Sequence, residues 1–269
     1  SVTTAMGGNN LTVAGATVIN GAVTITTATL DANDTFNAGN GSITFTSTGN
    51  LLLSGVVTSL GALSDGAGTV TYDANGDQTI LKDDYYSLIA GGGAGIKTLA
   101  DTVNVAGDFT TDASVITAMG ANNLTVTGAT DINGTVTITT ATLDANGAFD
   151  ATGGTITFTG AGNLNLEGVV TSLGDITNVG FGTVTYDGAG DQTIVADNYY
   201  SLTAGGGTGT KTLAGTVTLA GDLTIDADVT IAMDSYDLTV AGAANIVGGI
   251  TVPGATKTLT LNGASDIDG

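Results

Sequence analysis

The sequence predicts an all-β chain wound as a parallel β-solenoid, and three observations carry that expectation. The chain copies itself: Ala5 to Gly61 return as Ala118 to Gly174 with 43 of 57 positions identical, and self-similarity at a long fixed period marks repeat architecture. Apolar-Thr-apolar triplets recur from one end to the other, and such alternation is the pattern of a half-buried strand. No apolar stripe of helical period is sustained anywhere, so essentially no helix is expected.

The elements follow in order. Leu11-Thr12-Val13, Val23-Thr24-Ile25, Ile43-Thr44-Phe45 and Val70-Thr71-Tyr72 read as strands of the first copy. Thr69 to Asp73 reappear as Thr183 to Asp187, which sets the period at 113 to 114 residues. A third copy begins near Met233, after Met6 and Met119, and then drifts. There the triplets crowd together as Val217-Thr218-Leu219, Leu223-Thr224-Ile225, Val229-Thr230-Ile231 and Leu238-Thr239-Val240. Ala-Gly, Asp-Ala, Asn-Gly and Gly-Gly separate the strands, and these residues form turns. Steps of six residues (Leu213, Leu219, Ile225, Ile231) suit one side of a three-sided coil. Such a coil needs roughly 18 to 23 residues. One repeat then holds about five or six coils and the chain about 13, a rod of roughly 60 Å at ~4.8 Å per coil. Residues 1–269 are expected to form one continuous solenoid, with sequence repeats at about 5–117 and 118–231 and a partial copy at 232–269.

The rival fold is a string of Ig-like β-sandwiches, because one repeat matches such a domain in size. Against it, the strands are short, aromatic residues make up 5% of the chain, and there is neither Trp nor Cys to mark a sandwich core.

Composition excludes several functions. The formal net charge is −21, with four lysines and no arginine, which opposes binding to nucleic acid and to anionic membrane surfaces. Without Cys or His the chain has no thiolate chemistry and no imidazole base, so an enzyme is not expected. No apolar run is long enough for a membrane span. Ser1-Val2 aligns with Ser114-Val115, and the last residues align near Asp150 to Gly153. The chain therefore reads as a piece cut from a longer array.

One family resemblance is visible. Gly190-Asp191-Gln192-Thr193-Ile194, Tyr199-Tyr200-Ser201-Leu202 and Gly209-Thr210-Lys211-Thr212-Leu213-Ala214-Gly215 resemble the β-strand repeats of large bacterial surface proteins, the haemagglutinin-like and autotransporter-passenger-like adhesins. The resemblance implies export to the cell surface, a right-handed parallel β-helix, and a role in adhesion, filament or cell-envelope structure. It carries no catalytic residues.

Several residue groups are candidate sites. Asp73-Ala74-Asn75-Gly76-Asp77 has oxygen ligands at alternate positions and Gly at the bend, as a calcium loop does. Asp187 and Asp191 frame its copy, and Asp31 to Asp34 and Asp144 to Gly147 are similar. A Ca²⁺ ion is the one cofactor these loops could hold; the competing reading is an Asx turn. Gly91 to Lys97 and Gly205 to Lys211 lack the acid of a glycine-rich calcium repeat and the ending of a phosphate loop, so they read as tight corners. In Tyr85-Tyr86 and Tyr199-Tyr200, one ring of each pair should point inward and one outward. An outward ring could stack on a sugar or simply cover the wall. The Thr-x-Thr triplets resemble an ice-binding face, but their spacing is irregular. The favoured reading is a stalk or filament subunit that stacks end to end, with divalent cations easing the approach of its carboxylates. A glycan-binding adhesin that grips host or neighbouring cells is the second reading, and an ice-binding solenoid the third.

Overall fold

The computed structural model describes residues 2–64, 66–178, 180–252 and 256–268. Ser1 and Gly269, the two ends of the expected solenoid, lie outside the described residues. These residues form 40 strands of two to six residues and no helix. Among them, therefore, no helix is long and apolar enough to cross a membrane. Their contacts divide the chain into two compact units, 1–136 and 137–269. Each is a three-faced parallel β-solenoid, and the chain holds about 13 turns in all. The antiparallel sandwich is thereby excluded.

In the first unit strands pair in parallel with the third strand after them, one coil on, with two exceptions. Val70 faces Leu88, 18 residues later, and Leu88 faces Phe109, 21 later. Alternation sends every second side chain inward. Two apolar ladders result on one face: Leu30, Leu51, Val70, Leu88 and Phe109, and beside it Ala32, Leu53, Tyr72 and Ala90. All of these side chains are at most 2% exposed. The face built on Thr29–Ala32, Asn50–Leu53, Thr69–Tyr72 and Ser87–Ala90 is unbroken. The other two faces are cut at one place. Among the described residues no ladder joins Val57–Ser59 to Gln78–Ile80, or Ala62–Ser64 to Asp84–Tyr85.

The second unit repeats this plan. Leu143, Leu164, Val184, Leu202 and Leu223 form one inward ladder, and Ala145, Leu166, Tyr186, Ala204 and Ile225 the next. Again one face runs unbroken, from Thr142–Ala145 through Asn163–Leu166, Thr183–Tyr186 and Ser201–Ala204. The other two are cut between Val170–Ser172 and Gln192–Ile194 and between Asp175–Asn178 and Asn198–Tyr199. From Gln78–Ile80 to its copy Gln192–Ile194 the chain advances 17 strands. The sequence period is therefore not a whole number of three-strand coils.

Candidate functional site

The cut in the ladders is where polar side chains enter the core. In the first unit Gln78 shares the inward parity of Ile80, so alternation alone carries its amide inside. Its Nε2 donates across the cut to Leu53 O (2.6 Å) and Gly55 O (2.8 Å), while Oε1 accepts from Ala74 N (3.2 Å). One coil later, in register, stands Lys97, which is 0% exposed. Its Nζ donates to Ala74 O (2.7 Å), Gly76 O (3.0 Å) and Gln78 Oε1 (3.3 Å). Gln78 thus reaches the Gly55 carbonyl across the cut, and Lys97 satisfies the corner carbonyls of Ala74 and Gly76, which matters because unpaired buried carbonyls and amides are costly. The Gly-rich corner makes this possible. Gly92 has φ +92°, and a β-carbon there would collide with the Asp73 carbonyl oxygen.

The second unit rebuilds the same fitting. Gln192 Nε2 donates to Leu166 O (2.9 Å), Glu167 O (3.0 Å) and Gly168 O (3.2 Å). Lys211, also 0% exposed, donates to Gly188 O (2.6 Å), Gly190 O (2.9 Å) and Gln192 Oε1 (2.7 Å). Beside each fitting lies an open cleft. The first, about 460 Å³, is lined by Ser54, Val56, Asp77, Gln78 and Thr98 among others. The second, about 480 Å³, is lined by Glu167, Val169, Asp191, Gln192 and Thr212 among others. Val56 and Val169 stand 64% and 75% exposed at their rims.

The electrostatics follow from burial. Burial pushes the Lys97 ammonium down from its ordinary value, against the pull of Asp73 and Asp77, and Lys211 is lowered in the same way against Asp187 and Asp191. Asp73 is raised by burial and by Asp31, against the Ser54 hydroxyl that donates to it at 2.9 Å. In the second unit Glu167 stands where the first has Ser54. Asp187 is raised by burial and by Asp144 and Glu167, and its Oδ1 is buried without a hydrogen-bond partner.

The sequence-derived candidates take these places. Asp73 and Asp187 lie half-buried beside the lysine fittings, and Asn75 is exposed. Asp77 Oδ1 accepts from Ile96 N (2.9 Å) and Asp191 Oδ1 from Thr210 N (2.8 Å), so both carboxylates cap the backbone of the next coil. Among the described residues no three acidic side chains gather as a metal would need. Tyr85 and Tyr199 are 1% exposed and belong to the core, whereas Tyr86 is 39% exposed and Tyr200 half-buried. The Tyr86 and Tyr200 rings lie close against Gly107 and Gly221.

Gln78, Lys97, Gln192 and Lys211 were not singled out as a constellation by sequence reading, although each copy carries the signal. Gln and Lys stand 19 residues apart in both, one coil, and each Lys has the inward parity of the Leu two residues on. Fold and fittings define the class, a repeat β-solenoid with two copies of one polar clamp. No family model, curated protein or solved structure matches the chain.

Proposed function

We propose that the chain is a structural segment of a bacterial cell-surface protein, a spacer or fibre subunit displayed outside the cell. One observation carries this reading: the two copies share their inward side chains, while several outward positions change. Tyr72, Gln78, Tyr85 and Lys97 return as Tyr186, Gln192, Tyr199 and Lys211, while Leu52, Ser54, Ile89 and Ile96 become Asn165, Glu167, Thr203 and Thr210. A shared interior is what a scaffold needs; outside it, Val56, Asp77 and Tyr86 also return as Val169, Asp191 and Tyr200. The outward threonines also engage one another, Thr26 with Thr46 and Thr139 with Thr159, each at 2.9 Å, which weakens the case for an ice-binding surface.

Negative-stain microscopy of the isolated chain, with and without Ca²⁺, tests the fibre reading. End-to-end assemblies promoted by Ca²⁺ are expected, and particles that stay single in both conditions overturn it. A glycan array tests the second reading, whose one favourable feature is the outward Tyr86 ring. Saturable binding lost on Tyr86→Ala would establish an adhesin in place of a spacer.

A further inference from the structure

In both copies a primary amine and a carboxamide are held together inside the protein, on adjacent coils and in register. Lys97 Nζ lies 3.3 Å from Gln78 Oε1, and Lys211 Nζ lies 2.7 Å from Gln192 Oε1. The carbon bonded to that oxygen is an electrophile that an uncharged amine can attack. We propose that Lys97 with Gln78, and Lys211 with Gln192, close isopeptide cross-links in the folded chain.

The step balances without oxidant or reductant. The Nζ lone pair adds to Cδ of the glutamine, forming the Nζ–Cδ bond. The tetrahedral intermediate collapses with cleavage of Cδ–Nε2, a proton passes from Nζ to Nε2, and ammonia leaves. Three features of the site favour this. Holding the two groups in contact replaces a bimolecular encounter, which in well-oriented systems is worth effective concentrations of about 10⁵–10⁸ M. Burial disfavours the ammonium and so raises the share of free amine that attack requires, against Asp73 and Asp77 around Lys97 and Asp187 and Asp191 around Lys211. The two clefts are lined by Gln78 and Gln192, which gives departing ammonia a path to solvent.

The bond would join the glutamine's coil to the next one, on the side away from the cut, where all three ladders are present. Its value to the molecule rests on the scaffold reading above, since a covalent rung holds where hydrogen bonds alone would part under pull.

Intact-mass spectrometry of the unaltered chain, kept folded, then denatured and measured fresh and after prolonged incubation, decides the matter. The expected mass falls short of the sequence mass by two ammonias, and proteolysis releases two branched peptides, joined at Lys97–Gln78 and at Lys211–Gln192. Lys97→Arg should restore one ammonia and Lys97→Arg with Lys211→Arg both. A full sequence mass in the aged folded chain overturns the proposal. So does a shortfall that maps only to unbranched peptides, as succinimide formation at Asn20-Gly21 or Asn133-Gly134 would give. Branched peptides from a chain that forms no fibres would leave the cross-link standing and the spacer reading in doubt, and the converse result would do the opposite.

Discussion

The hydroxyls of Tyr72 and Tyr85 meet at 3.0 Å in the interior of the first unit, with their rings crossed edge to face at 74°. Tyr85 donates to Leu81 O (2.7 Å), Tyr72 donates to Tyr85, and the Tyr72 oxygen accepts from Leu81 N (3.1 Å). The ring of hydrogen bonds closes on a single corner residue. Tyr186, Tyr199 and Val195 repeat it in the second unit. Tyr85→Phe should leave the Leu81 carbonyl and the Tyr72 hydroxyl without their partner and cost about 1–3 kcal/mol, measured by denaturant unfolding. Tyr86→Phe, which touches no such ring, should change the midpoint little.

The same ring sets an alkaline limit. Burial pushes the Tyr72 and Tyr186 hydroxyls up to about 12 and raises Tyr85 and Tyr199 as well. Unfolded tyrosine ionises near pH 10, so between about pH 10 and 12 the unfolded chain holds fewer protons than the folded one. The stabilisation is complete below pH 10 and is lost as pH climbs through 12. Unfolding midpoints should therefore fall across that interval. A phenolate absorbance titration should show the four buried tyrosines ionising only as the fold is lost.

Gly206 and Gly190 separate strain from tolerance. Gly206 has φ +88° and no room for a β-carbon above the Asp187 carbonyl, whereas a β-carbon at Gly190 meets nothing within 4 Å. Gly206→Ala should destabilise by more than about 1 kcal/mol, because the corner that delivers Lys211 cannot close. Gly190→Ala should stay within about 0.5 kcal/mol of the parent. Thermal melts of the two variants against the parent check the contrast.

Asp187 should be a stability defect at neutral pH. Its carboxyl is raised above the ordinary range by burial and by Asp144 and Glu167, so the folded state binds its proton more tightly than the unfolded state does. That advantage is present at low pH and lost as pH rises through the folded value. Asp187→Asn should accordingly raise the melting midpoint at pH 7, and the gain should vanish near pH 3, where carboxylates are protonated in both states. A variant less stable than the parent at pH 7 would mean that the Lys211 attraction outweighs burial.

The interior should respond as a close-packed core. Leu88 is fully buried between Val70 and Phe109, and Leu88→Ala should cost about 2–5 kcal/mol by denaturant unfolding.

The parallel coil was legible because its causes are local. Thr69-Val70-Thr71-Tyr72 alternates, glycine and Asx residues follow, and the next strand begins within one coil, so stacking buries the inward Val and Leu of each strand. The inward Tyr85 and outward Tyr86 followed from the same alternation. The clamp was harder to read. Gly91 to Lys97 reads as a tight corner, and a lysine in isolation belongs in water. What brings Lys97 inside is its register with Gln78 one coil back and the corner carbonyls of Ala74 and Gly76 that accept from it. The Ca²⁺ reading of Asp77 and Asp191 rested on spacing along the chain, which does not show that each would accept from the backbone 19 residues later.

Lys97 and Lys211 are half of the four cations in the chain, and both are sealed inside. The solvent-facing coat therefore sets nearly all of its 25 acidic groups against Lys82 and Lys257 alone. Such a coat holds water and counter-ions tightly, and two chains brought side by side must squeeze those ions together before their walls can touch. Lateral crowding is then resisted osmotically, and chains packed on a surface should stand apart at low ionic strength and draw closer as salt is added.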